Sequence, residues 1–182
     1  FVNCSIDVIR NNSKLELSFG SSDCGHVAYG AKLFIYPDGS SRSVGEDGEY
    51  CLTADQYLFL FQDDEYWLKS YIGTEETISL PADINGSVYR MQNFECGASV
   101  KNIIIPEGIT CVDNDAFASC ATLESISLPD SVSIIKNNAF YGCENLATVN
   151  IPANVLSIGS YAFYGCTSLS YVELPVGLNY LG

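Results

Sequence analysis

The chain is expected to be mainly β: a solenoid of 23-residue coils with a parallel β-ladder, preceded by an all-β N-terminal capping region. Three observations predict this. Ala116-Phe117, Ala139-Phe140 and Ala162-Phe163 recur every 23 residues, as do Cys120, Cys143 and Cys166, Leu123, Leu146 and Leu169, and Pro106, Pro129, Pro152 and Pro175. A fixed period of this length marks stacked repeats. The apolar positions of each unit match those of the next, so a face that no unit could bury alone becomes continuous on stacking. The first 76 residues lack the period and read as short strands.

Within one unit, Leu123-x-x-Ile126-x-Leu128 predicts a short strand with Ile126 and Leu128 pointing inward at period two. Pro129 ends it, because proline offers no N–H to a ladder. Val132 and Ile135 start a second apolar run on the return side. Ala139-Phe140 packs the opposite wall, where alanine lets the backbone come close and phenylalanine fills the middle. Strands of successive coils would lie roughly 4.7–4.9 Å apart, the spacing of a sheet.

Pro81 and Pro106 are 25 residues apart, two more than the period, while Phe94, Val100, Ile103 and Ile105 keep the later offsets. The extra residues therefore fall around Ile84–Tyr89, where the first coil should bulge. At the other end, residues 175–182 follow residues 152–159 position by position and stop mid-unit, so an exposed apolar edge and further coils in the natural protein are expected. The array is assigned to residues 77–182, with a degenerate first coil and a truncated last one.

The repeat resembles the leucine-rich repeats of the BspA-like class. Ile158-Gly159-Ser160-Tyr161-Ala162-Phe163-Tyr164-Gly165-Cys166-Thr167-Ser168-Leu169-Ser170-Tyr171-Val172 carries its signature of Ile-Gly, then Ala-Phe, then Cys, Leu and Val at fixed offsets. The likeness covers roughly residues 77–182 and implies a horseshoe-like leucine-rich-repeat solenoid, a non-enzymatic surface protein of the kind that adheres to host proteins or other cells. In that class a Tyr/Phe-rich hairpin often introduces the array, and Tyr57-Leu58-Phe59-Leu60-Phe61 through Leu80-Pro81 is similar to it. Residues 1–50 resemble no family.

The leader, residues 1–76, is read as strands throughout. Ser5–Arg10 and Lys14–Phe19 flank the turn Asn11-Asn12-Ser13 and suggest a hairpin. Lys32–Tyr36 ends at Pro37-Asp38-Gly39, and Gln56–Gln62 and Tyr66–Ile72 flank Asp63-Asp64-Glu65 as a second hairpin. This leader would shield the apolar end of the first coil, as terminal units of solenoids must.

Composition narrows the function. Eight Lys+Arg against 22 Asp+Glu give a net charge of −14, which repels phosphate backbones, so nucleic acid is not an expected partner. No run approaches the roughly 20 apolar residues of a spanning helix, and no charged-then-apolar leader is present. Cys120, Cys143 and Cys166 form one inward column, joined by Cys96 displaced by one position, and are read as small buried hydrophobes with weak S–H donors. Cys4, Cys24, Cys51 and Cys111 remain for one or two disulfides, Cys4–Cys24 being favoured on local grounds.

Little in the chain points to chemistry. The single histidine, His26, has no nucleophile motif around it, and no Cys-x-x-Cys occurs, so no catalytic residue, zinc or cofactor is assigned. Asp63-Asp64-Glu65 and Asp113-Asn114-Asp115 group oxygen ligands but lack the spaced calcium-loop pattern and are read as solvated turns. Asn3, Asn11 and Asn85 open glycosylation sequons that a bacterial origin would leave unused.

What remains is surface. The outward ladder positions Asn102, Ser125, Ser127, Thr148, Asn150, Tyr171 and Glu173 are mostly small and hydroxyl-bearing, and between residues 145 and 182 only Glu173 is ionised. Tyr141 and Tyr164 form a second column, and tyrosine with serine and asparagine suits adaptable binding faces. The ladder face is therefore the expected binding site and the Tyr141/Tyr164 column its alternative. The expected role is a secreted or cell-surface binding module for a protein ligand such as a host or matrix protein. Two other readings stay open: a self-associating structural segment of a surface assembly, and a non-catalytic targeting arm of a larger enzyme.

Overall fold

A computed structural model describes residue 53, residues 55–84 and 86–182, and the backbone of four earlier strands, Val8–Arg10 (β1), Leu33–Ile35 (β2), Ser41–Ser43 (β3) and Glu49–Leu52 (β4). β1 and β2 run parallel, and β2 pairs antiparallel with β3. The partner described for β1 is thus β2; Lys14–Phe19, expected to form a hairpin with it, lies outside the described residues. So do the turns at 11–13 and 37–39, His26, Asn3, Asn11, Asn85, Cys4, Cys24 and the Cys51 side chain.

Tyr57–Gln62 (β5) and Glu65–Tyr71 (β6) form the aromatic hairpin, tight because Asp63 and Asp64 both adopt positive φ, which aspartate tolerates better than bulkier residues. Thr77–Ser79 (β7) is the first strand of a parallel ladder. The two extra residues of the first coil are taken up by a tight turn closed by an antiparallel bridge from Ile84 to Ser87. Tyr89–Glu95 (β8) follows and pairs parallel with β6, so the leader's sheet, ordered β4-β5-β6-β8, includes a strand of the first coil.

The remaining coils repeat one plan. Asn102–Ile104 (β9), Ser125–Ser127 (β11) and Thr148–Asn150 (β13) continue from β7 as a parallel ladder in strict register, Asn102 beside Ser125 beside Thr148. A second parallel ladder, which the sequence reading did not foresee as such, is built by Cys111–Val112 (β10), Ile134–Ile135 (β12), Ser157–Ile158 (β14) and Tyr180–Leu181 (β15). No helix occurs among the described residues, and none is long and apolar enough to cross a membrane.

One core runs from Tyr57 to Cys166. Phe94, Phe117, Phe140 and Phe163 line up through it, with ring centroids 5.8, 5.5 and 5.2 Å apart. The turn before Phe117, Phe140 and Phe163 takes a left-handed residue, supplied by Asp115, Asn138 and Tyr161 at φ of 55°, 56° and 58°, and Asn93, directly before Phe94, has a φ of 51°. Gly159 sits where coils touch most closely: a Cβ there would lie 2.5 Å from the Asn137 nitrogen.

The cysteine column requires a correction. Cys96 and Cys120 form a disulfide, with Cα atoms 5.6 Å apart, rather than standing as separate buried thiols. The reason is the one-position displacement, which takes Cys96 out of strict register and points it at the coil above. Cys143 and Cys166 keep the register, stay free and buried, and each donates its S–H to a carbonyl 26 residues earlier, Phe117 O and Phe140 O, at 3.1 Å. The neighbouring Cys166 sulfur, together with burial, pushes the Cys143 thiol well above its ordinary range. Cys111 is free as well and half-buried.

Candidate functional site

The ladder β7-β9-β11-β13 presents one face to the core and one outward. Ile78, Ile103 and Ile126 are buried at the middle position of their strands, with Val149 half-buried, so flanking residues must turn outward. Thr77, Asn102, Ser125 and Thr148 form the first outward row; Ser79, Ile104, Ser127 and Asn150 form the second.

These rows are organised by hydrogen bonds across coils. The Ser125 hydroxyl donates to Asn102 Oδ1 at 2.6 Å, and Asn102 Nδ2 donates to Thr77 Oγ1 at 3.1 Å. Asn150 has a bracing role: its Oδ1 accepts from Leu128 N and its Nδ2 donates to Leu128 O. Ser127 and Thr148 keep exposed side chains. At the rim Lys101 meets Glu76 at 3.0 Å, and that hydrogen-bonded carboxylate holds the ammonium above its ordinary pKa.

The two rows enclose a shallow concavity of about 480 Å³ lined by Asn102, Ile104, Ser125, Ser127, Thr148 and Asn150 among others. Ile104, 43% exposed, supplies its apolar centre. Tyr171 and Glu173 lie beyond the fourth strand, because residues 170–175 do not extend the ladder. They line an adjoining groove of about 470 Å³ that shares Asn150 with the first, and Tyr171 is 73% exposed. Five of the seven expected residues thus lie on one concavity, and the other two border its neighbour.

Tyr141 and Tyr164 stack at 5.2 Å and remain 41% and 60% exposed. Tyr161 abuts Tyr164 edge-on at 5.8 Å. The acidic triplets do not behave alike: Asp113 is taken up by Lys136 at 2.6 Å and Arg90 at 3.9 Å, while Asp63 and Asp64 form the β5–β6 turn. Arg90 also reaches Glu65 at 3.3 Å and lies over the Trp67 ring, tying the leader's sheet to the second ladder. Among the described residues no group of three or more His, Cys, Asp and Glu is placed to hold a metal ion.

Similarity to known proteins agrees with this architecture. A leucine-rich repeat protein from Bacteroides ovatus ATCC 8483 superimposes with a TM-score of 0.55 at 24% identity over 69% of this chain and 42% of its own. A leucine-rich repeat protein from T. pallidum gives 0.41 at 27% identity, over 75% and 51%. A leucine rich cell surface protein from Faecalibacterium prausnitzii A2-165 gives 0.37 at 21%, over 70% and 55%. The chain thus spans about half the length of these structures. Comparison with curated proteins finds no match. The family model for the BspA type leucine rich repeat region matches residues 89–182, more than half of the sequence, and the chain belongs to that family.

Proposed function

We propose that the array is a non-enzymatic binding module that recognises a protein ligand, such as a host or matrix protein, through the ladder face, at the cell surface or outside the cell. The observation that carries this reading is the concavity between the two outward rows, about 480 Å³, with small hydroxyl and amide side chains around exposed Ile104. An apolar centre with a polar surround is the anatomy of a protein interface. The face is weakly charged, so selectivity would come from shape and hydrogen bonding rather than from a field. Changing Ser125, Thr148 and Tyr171 together to arginine should abolish binding to an immobilised extracellular-matrix extract, measured by surface plasmon resonance, with an unchanged circular dichroism spectrum. Retained binding would move the site to Tyr141 and Tyr164 or to the leader.

A second reading is favoured by one observation, the exposed Tyr141–Tyr164 stack. Aromatic rings left in water on a regular array suit lateral contact between arrays. Concentration-dependent sedimentation that disappears in Tyr141→Ser/Tyr164→Ser would support this structural role, and a monomer at all concentrations would contradict it.

A further inference from the structure

Among the described residues, the first strand of the ladder has one edge paired and the other nearly free of hydrogen bonds. Asn102 N donates to Glu76 O and Leu80 N donates to Ile104 O, so the backbone groups at 76 and 80 face β9. In a parallel ladder the alternate residues, here Thr77 and Ser79, turn their N–H and C=O the other way. On that side the described residues supply one bond, from the Tyr57 phenol to Ser79 O at 2.6 Å. Thr77 N–H, Thr77 C=O and Ser79 N–H meet no partner among the described residues. Unpaired edge groups of this kind are a template for another strand.

This edge opens into a cleft of about 340 Å³. One wall is Asp55, Gln56 and Tyr57, from the β4–β5 turn and the start of β5; another is Tyr71 and Glu75, where β6 runs out. Both carboxylates are exposed, and none of the ion pairs of the described residues includes them. Glu75 accepts from the Tyr71 hydroxyl and from Thr74 N, which holds it at the mouth of the cleft. Tyr57 and Tyr71 pack with centroids 5.1 Å apart behind the two acids. A strand edge with unfilled main-chain groups, two carboxylates that join no ion pair among the described residues and an aromatic pair thus meet in one place.

We propose that this edge receives an extended segment of a partner protein, added as a strand beside β7, with a lysine or arginine seated between Asp55 and Glu75. Main-chain hydrogen bonds to Thr77 and Ser79 would hold the segment, and the charged end would fix its register. The aliphatic stem of the basic side chain would lie against the tyrosines, whose faces favour a cation. The net charge of −14 steers basic partners toward the chain and repels acidic ones. This surface is separate from the outward ladder face, so either site can fail without the other.

The test uses the full chain and fluorescein-labelled hexapeptides of alternating threonine and valine that begin with lysine, read by fluorescence anisotropy. Saturable binding is expected, with the glutamate-led peptide binding about tenfold more weakly or worse. A lysine-led peptide N-methylated at alternate residues, which cannot donate along one edge, should lose binding to a similar degree. Asp55→Asn/Glu75→Gln should erase the preference for lysine over glutamate, and Thr77→Pro, tolerated on an edge strand, should remove binding. Amide chemical shifts should move at Thr77 and Ser79. Equal binding of the lysine and glutamate peptides, indifference to N-methylation, or no saturable binding would overturn the proposal. So would a dimer in sedimentation that Thr77→Pro dissolves, since the edge would then pair with a second copy of this chain.

Discussion

Phe117 and Phe140 stack face to face across adjacent coils, with centroids 5.5 Å apart and planes 4° from parallel, and both are fully buried. Phe140 also stacks on Phe163, so its ring is the central link of the column. Phe140→Ala should cost about 3–5 kcal/mol, the range for removing a buried aromatic ring, and Phe140→Leu markedly less. Urea denaturation followed by circular dichroism measures both.

Gly159 tests the closeness of the coils. Its missing Cβ would fall 2.5 Å from Asn137 N and 2.6 Å from Lys136 C, both backbone atoms that cannot swing aside. Gly159→Ala should destabilise by about 1–3 kcal/mol, whereas Gly177→Ala, with no atom nearer than 3.9 Å, should be close to neutral. A thermal denaturation comparison of the two decides it.

The bridge between Cys96 and Cys120 closes a loop with a sequence separation of 24. Removing it by Cys96→Ala should cost about 3 kcal/mol through the unfolded chain. Peptide mapping without reductant should recover Cys96 linked to Cys120, and Cys143 and Cys166 should react with alkylating reagents only after unfolding, because both are buried.

Burial, with the Asp55 and Glu75 carboxylates adding to it, pushes the Tyr57 phenol from its ordinary 10.0 up to about 12. Above pH 10 the unfolded chain releases this proton and the folded chain keeps it, so the unfolded state binds fewer protons and stability falls as pH rises. The contribution is whole below pH 10 and is lost as pH climbs through about 12. Tyr57→Phe should remove the hydrogen bond to Ser79 O, costing about 1 kcal/mol at neutral pH, and should flatten the alkaline loss of stability. Titration of phenolate absorbance alongside urea midpoints tests the sign.

Much of this fold was legible because the period is carried by residues with little tolerance. Phe117, Phe140 and Phe163 fill one line, Ile126 and Leu128 point inward as their spacing requires, and the bulge falls between Ile84 and Ser87. The second ladder was harder to read, since each of its strands is only two residues long; three show one buried and one more exposed position, and both residues of Tyr180–Leu181 are exposed. The Cys96–Cys120 bridge was hidden by the column it joins. Its signal was the offset: Cys96 follows Phe94 by two positions, whereas Cys120 follows Phe117 by three. The parallel pairing of β6 with β8 had no local signature, because it depends on where the bulge delivers the chain. At the candidate site, the outward rows followed from strand alternation, while the bracing of Leu128 by Asn150 depends on side-chain reach that spacing does not report.

Register between coils underlies all of this, and through-hydrogen-bond NMR couplings measure it directly. Ala147 N donates to Glu124 O at 2.9 Å on one ladder, and Gly159 N donates to Ile135 O at 2.8 Å on the other. Couplings should therefore connect the Ala147 nitrogen to the Glu124 carbonyl carbon and the Gly159 nitrogen to that of Ile135. Couplings displaced by one residue would turn the rows holding Ser125 and Thr148 toward the core, and neither the solenoid nor its recognition face would stand.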